Sequence, residues 1–420
     1  MTKKNTKNVS PSAPAATPIT SLENIIKAAL FTPGPHGWGL PILLWGPVGI
    51  AKTSLVEAIA RKWGLAFNSL VGSIIEPMDV AGMQLPDEAN HRMVQYPAHW
   101  VSRANQNQGH VQLLDELTTC PRAVQGAMLK LVFERKAGEV NLHRRVRFLA
   151  AANPMDQAAN ATDIETPLAN RFGHIEAGAP EVSVWSDWLL GGADYDADPA
   201  DPSKALDEER RVVALWDNAF SRSAAVVTSF LRTRGSLFND QPSAGDPKAS
   251  LAFPTPRTWE LATRALAAAD VHGLSPDERA TLVAAFVGPG PASEYLAYAR
   301  QTDLPDPEAL LDGNVSWKHQ ANRADRTFAV LSSITSLLVR LKGGRSLDEC
   351  SKDEALIKRL RQGWKITMEV ARAEAADIAY PALQRMIRAD LDYRVDKAGL
   401  MQYAADMHPI ASKIGGSVGR

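Results

Sequence analysis

Two short segments constrain this chain more than anything else in it. Pro41-Ile42-Leu43-Leu44-Trp45 is an apolar run of strand length, and it leads straight into Gly46-Pro47-Val48-Gly49-Ile50-Ala51-Lys52-Thr53-Ser54. A strand that ends in a glycine-rich turn and then opens a helix gathers several backbone N–H groups around one anion, and the helix dipole adds to that attraction. Gly46 and Gly49 let the backbone curl where a Cβ would clash. Lys52 reaches terminal phosphates, and the Thr53 hydroxyl suits a magnesium ion. Leu55, Ala58 and Ile59 have helical spacing over Thr53 to Trp63, and Gly64 suits the end of that helix.

The second segment is Val111-Gln112-Leu113-Leu114-Asp115-Glu116. A short apolar run closed by two carboxylates fits a buried parallel strand whose carboxyl end opens into a site. Asp115 is expected to hold Mg²⁺ through water, and Glu116 to polarise an attacking water. Pro121 to Glu134 then reads as a helix with Val124, Met128 and Leu131 on one face. Val146 to Ala152 reads as another buried strand, ending in Asn153, whose amide suits the attacking water or a γ-phosphate. Arg171 follows in Leu168-Ala169-Asn170-Arg171-Phe172, and Arg257 in Pro254-Thr255-Pro256-Arg257 at a helix start.

The order of these pieces resembles an AAA+ ATPase, and within that superfamily the MoxR-like group of dynein-related type. Leu114 to Arg135 is similar to the family's acidic strand and following helix, Ala151-Ala152-Asn153-Pro154 to its sensor-1 strand, Leu168 to Phe172 to its arginine-finger segment, and Thr255-Pro256-Arg257 to the sensor-2 start on its lid. The similarity is specific from Leu43 to Phe172 and extends more loosely to Asp270. It implies an α/β fold: a P-loop core with a central parallel sheet, then an all-α lid and a helical C-terminal region. It also implies ATP and Mg²⁺ as ligands and ATP hydrolysis as activity. Residues 46–54 would bind nucleotide, Thr53 and Asp115 the metal, and Glu116, Asn153, Arg171 and Arg257 would be catalytic. Arg171 would act in trans on a neighbour's γ-phosphate, and Arg257 in cis from the lid. A site completed by a neighbour requires a ring, with a hexamer as the family's usual form. A partner carrying a von Willebrand factor A domain and a chaperone role are further implications. Ala51 stands where the family has glycine; alanine costs nothing there if the residue is already helical. Thr118-Thr119-Cys120 also departs from the family's polar-basic residues.

Two hairpins are expected, one within Asp79 to Trp100 and one over Gly138 to Arg147. His143, Arg144, Arg145 and Arg147 form a basic cluster that could touch nucleic acid or face a neighbouring subunit. Over the whole chain, however, 46 Lys and Arg face 47 Asp and Glu, for a net charge of −1. That balance disfavours a DNA-coating protein, since phosphate contact needs uncompensated basic groups. Two cysteines, Cys120 and Cys350, give no disulfide framework, so a reducing cytoplasm is the expected setting. No apolar run is long enough to span a membrane, and the N-terminal lysines lack the apolar segment of a secretory signal.

The expected organisation is a disordered tail over 1–20, a nucleotide-binding core over 21–180, linker helices and loops over 181–250, a lid over 251–345 and a C-terminal helical region over 346–420. Ser21 is expected to cap the first helix. The acidic stretch 191–204 opens like a calcium loop at Asp194, Asp196 and Asp198, but Pro199 and Ala205 occupy positions that need glycine and glutamate, which excludes it. Helices are expected over Glu208–Phe230, Thr258–Val271, Asp277–Val287, Trp317–Leu341, Leu356–Asp377 and Pro381–Tyr393, with Gly288 to Pro291 breaking the chain. Leu356, Leu360, Trp364 and Met368 share a face and read as core. The function expected is that of a ring ATPase that remodels or matures a partner. The alternatives are an ATP-driven nucleic-acid translocase of a defence system and a nucleotide-sensing scaffold with negligible hydrolysis.

Overall fold

The computed structural model describes residues 16–106, 109–154, 157, 162–190, 201–243, 246–373 and 375–406. The acidic Asp194, Asp196 and Asp198, residues 407–420 and most of the expected tail lie outside them.

The core opens with α1 (Ile19–Leu30), β1 (Ile42–Trp45), α2 (Lys52–Lys62) and β2 (Ala66–Val71). An inserted unit follows, of α3 (Pro77–Ala81), β3 (Met83–Asp87), β4 (Arg92–Tyr96) and α4 (His99–Gln106). Then come β5 (His110–Asp115), α5 (Arg122–Glu134), the short hairpin β6 (Lys136–Ala137) and β7 (Val140–Asn141), β8 (Val146–Ala152), α6 (Thr166–Ala169), β9 (Gly173–Glu176) and α7 (Val182–Leu190). The remainder is helical: α8 (Ser203–Thr233), α9 (Pro256–His272), α10 (Pro276–Val287), α11 (Pro289–Thr302), α12 (Pro307–Asp312), α13 (Ala324–Lys342), α14 (Leu347–Ser351), α15 (Glu354–Arg372) and α16 (Ala376–Arg388).

Five parallel strands form the central sheet in the order β2-β5-β8-β1-β9. Parallel strands are buried on both faces, and alternate residues sort onto the two sides. Ile42, Leu44, Val111, Leu113, Leu149 and Ala151 join a core with α1, α2 and the C-terminal helices. Leu43, Trp45, Leu114, Phe148, Ala150 and Ala152 pack instead with Trp100, Val124, Met128 and Leu131. The β9 edge is covered by α10: a Cβ on Gly173 would lie 2.7 Å from the Phe286 ring.

Several expectations are corrected. The N-terminal segment joins the fold before residue 21. Thr17 bridges to Ala177, and α1 starts at Ile19 after Pro18, which places Ser21 inside the helix rather than at its cap. On α2 the buried residues are Val56, Ile59 and Ala60, while Ala58 is exposed. Gly288 to Pro291 opens α11 instead of breaking the chain, because proline in a first turn lacks only an N–H with no helical partner. Trp317 to Arg323 is not helical, and α13 starts at Ala324. Leu356, Leu360, Trp364 and Met368 are all buried on α15. Because α13 packs on both α15 and α16, the apolar core runs unbroken across residue 345.

Candidate functional site

β8 lies between β1 and β5, so the carboxyl ends of these three strands put Gly46, Asn153 and Asp115 side by side. Lys52, the first residue of α2, folds over this junction. Its Nζ donates to Gly46 O at 2.7 Å, Pro47 O at 3.0 Å and Asn153 Oδ1 at 2.8 Å. Burial pulls the ammonium below the usual lysine range, and Asp115 opposes that shift. Thr53 Oγ1 donates to Asp115 Oδ2 at 2.5 Å. The loop is shaped for a close ligand. A Cβ on Gly46 would lie 2.6 Å from Ile50 and 2.9 Å from Ala177 O, whereas above Gly49, at φ 82°, the space is open.

Ala51 adopts the left-handed conformation, φ 65° and ψ 34°. It is therefore not helical, and its side chain carries a cost of about 1–2 kcal/mol that glycine would avoid. Glu116 is also left-handed, at φ 54°. Strained backbone of this kind concentrates at working sites. The turn aims the Glu116 carboxylate back over β2, where Ser73 Oγ donates to its Oε2 at 2.5 Å. Gly72 permits the approach, since a Cβ there would lie 2.9 Å from Glu116 O. Thr118 Oγ1 donates to Asn153 O at 3.2 Å, tying the Glu116 turn to the neighbouring strand. Sequence reasoning missed Ser73, whose one hint is that it follows Gly72 at a strand end, and it named Thr118 only as a departure from the family pattern.

Lys52, Thr53, Asp115, Glu116 and Asn153 thus converge. Arg171 and Arg257 do not join them. Gly173 pairs with Ile42, the first residue of β1, so Arg171 stands at the amino end of the strand whose carboxyl end carries the loop. Four residues at about 3.3 Å each separate the two ends. Arg257 stands beside Arg171: the two guanidinium groups lie over the Phe133 ring at 5.2 and 4.8 Å. Arg257 Nη1 also donates weakly to Asn170 Oδ1 at 3.4 Å. Burial and the charge of Arg257 pull Arg171 below the usual guanidinium range. The two arginines share a groove with Pro33, Phe133, Arg135 and Arg264. A cis role for Arg257 is therefore corrected, because the path of the helical region sets α9 at the wrong end of the sheet.

The segment that carries the glycine-rich loop, the acidic strand and the amide strand matches a known family. Residues 41–172 match the model of the AAA domain, dynein-related subfamily. This segment belongs to the AAA family. Among solved structures, a candidate ATPase from Cytophaga hutchinsonii is similar to the chain at 16% identity and a TM-score of 0.43, covering 64% of this chain and 81% of that one. The match ends at Phe172, one residue past Arg171, so Arg257 and the helices α7 to α16 lie beyond the matched span.

The basic cluster that could touch nucleic acid or a neighbouring subunit is largely occupied. Arg147 is fully buried on β8, donating to Glu209 Oε1 at 2.5 Å and to Leu30 O at 2.9 Å. Arg145 Nε donates to Glu209 Oε2 at 2.7 Å. The hairpin spans β6 and β7 only, and of the three arginines Arg144 alone is exposed. Among the described residues no helix is long and apolar enough to cross a membrane.

Proposed function

We propose that the chain is an ATP-hydrolysing AAA+ protein of MoxR type that works as a ring, each site being completed by arginines of the adjacent subunit. The observation that carries this reading is the separation just described: the acid, base, amide and lysine stand at one end of β1, and both arginines at the other. One subunit cannot bring the two sets to one phosphate. In a ring, the arginine face of one subunit meets the loop face of the next.

In this reading the loop amides and Lys52 hold the β- and γ-phosphates, Lys52 exchanging loop carbonyls for phosphate oxygens. Thr53 and Asp115, already in contact, are the oxygen donors for Mg²⁺, which when bound would neutralise charge on those phosphates. Glu116 accepts a proton from the attacking water, and Asn153 aligns that water. Arg171 and Arg257 of the adjacent subunit stabilise charge on the transferring phosphoryl group. Asn170 Nδ2 and Arg171 Nε are buried without a hydrogen-bond partner among the described residues, which supports a surface completed by something else. A hexamer, a von Willebrand factor A partner, a maturation role and a cytoplasmic setting extend the reading by family resemblance. So does the division into a core over 21–180, a linker over 181–250, a lid over 251–345 and a C-terminal region over 346–420.

The test is complementation. Lys52→Ala and Arg171→Ala rings are each expected to be inactive alone. Mixed, they should regain turnover, because Arg171→Ala subunits keep an intact loop and receive an arginine from Lys52→Ala neighbours. A mixture as inactive as its parents would sink the shared site. Wild-type turnover per subunit should also rise steeply with protein concentration and then saturate.

A further inference from the structure

One side chain joins the loop end of the sheet to the arginine end within a single subunit. His174, on β9, is paired in register with Leu43 and lies on the same sheet face as Trp45. The His174 and Trp45 rings stack at 6.1 Å with an 18° interplanar angle. Trp45 Nε1 donates to His174 Nδ1 at 3.0 Å. On the other side, His174 Nε2 lies 3.0 Å from Ala169 O. A carbonyl only accepts, so Nε2 carries the proton and Nδ1 does not. Burial pushes the imidazole down to about 4, so this neutral tautomer persists at physiological pH.

Both partners sit at critical points. Trp45 is the last residue of β1, and Gly46 begins the phosphate loop immediately after it. Trp45 O also accepts from Ala177 N, which fixes the strand end. Ala169 closes α6, and its carbonyl accepts Phe172 N at 3.1 Å. That bond closes a turn with Arg171 inside it. Ala169 O is thus shared between the turn that presents Arg171 and the ring that leans on Trp45. Phenylalanine or leucine would fill the same space, but only a group that accepts on one side and donates on the other can bridge these two atoms.

We propose that His174 is a positioning residue: it straps the turn carrying Arg171 to the strand that ends in the phosphate loop, so that a subunit's own loop sets the arginine it offers to its neighbour. This rests on the trans reading of Arg171 above. Its consequence is directional. A defect at His174 falls on the adjacent subunit's site and leaves the subunit's own site able to work.

The experiment uses His174→Phe, which keeps an aromatic ring and removes both hydrogen bonds, and His174→Gln, whose amide accepts and donates. Rings of His174→Phe should bind a fluorescent ATP analogue within about twofold of wild type but lose at least ~10-fold in kcat, the scale of one lost transition-state contact. His174→Gln should recover most of it, and Trp45→Phe, which keeps the stack and removes the N–H, should reproduce the loss. The deciding measurement mixes His174→Phe with excess Lys52→Ala subunits. Turnover per His174→Phe subunit should climb towards wild type, because its loop now meets an intact arginine turn. Unchanged turnover in that mixture, where Arg171→Ala is rescued, would place the defect in cis and overturn the proposal. Wild-type kcat in His174→Phe would overturn it as well. If Arg171→Ala is not rescued either, the trans reading itself has failed.

Discussion

Ala51 and Glu116 hold left-handed backbone at the two strand ends that matter most, and neither is a residue that prefers it. At Ala51 the cost buys no visible contact, since its side chain is exposed. Ala51→Gly should therefore raise stability by about 1 kcal/mol, read as a higher urea midpoint at unchanged slope. A lower midpoint would mean that the flexibility glycine adds to the unfolded chain outweighs the relieved strain. Glu116 is different, because its turn is what brings the carboxylate to Ser73. Glu116→Gln should keep nucleotide binding and slow turnover by at least ~10²-fold, the usual scale for losing a general base; near-normal turnover would move the base elsewhere. Lys52, Thr53, Asp115, Glu116 and Asn153 were legible because each sits at a fixed offset from an apolar strand. Ser73 was not. Its role depends on Gly72 letting one strand end cross over another, and no spacing in the chain records that approach.

At the level of elements, the central strands follow from short continuous apolar runs and most helices from three-to-four spacing, whereas their long-range pairing does not. The basic run from His143 to Arg147 looks alike along the sequence, yet β8 turns Arg147 inward under α1 and α8 while Arg144 stays in solvent. The partner, Glu209, is the seventh residue of α8, a helix that sequence reasoning started at Glu208, and nothing local marks it as buried. This pair fastens α8, and with it the helical region, onto the sheet. Removing one partner from a buried pair leaves an uncompensated charge, which costs about 3–5 kcal/mol. Arg147→Met should lose about that much in urea unfolding, and Arg147→Met with Glu209→Leu should recover most of it, since an apolar pair of similar size is often neutral. Equal destabilisation in the single and double variants would show that packing around Phe31 and Trp38, not the charge pair, holds the junction. Arg144→Ala should leave stability unchanged. The side on which Arg257 falls follows from the same junction, because α8 fixes where α9 begins.

Over the whole molecule, burial holds three histidines neutral in three separate places. His110 opens β5 and His174 lies on β9. His272 ends α9 near Lys27 and Arg211, whose charges add to burial, with Glu208 opposing. Each is pushed from about 6.5 down to about 4. The unfolded chain therefore takes up protons near pH 6.5, and the folded chain does not until about pH 4. Between those values unfolding absorbs protons, so lowering the pH favours the unfolded state; above pH 6.5 the three groups are neutral in both states and contribute no slope. Thermal stability is expected to hold level from pH 8 to about 7 and to fall steadily as the pH drops towards 4. His110→Gln, which keeps a polar group beside Gln112 without a titrating ring, should flatten that descent by its share. A melting temperature that stays level down to pH 5 would mean that these rings gain protons inside the fold, and then His174 could not keep the single tautomer that its contacts with Trp45 and Ala169 require.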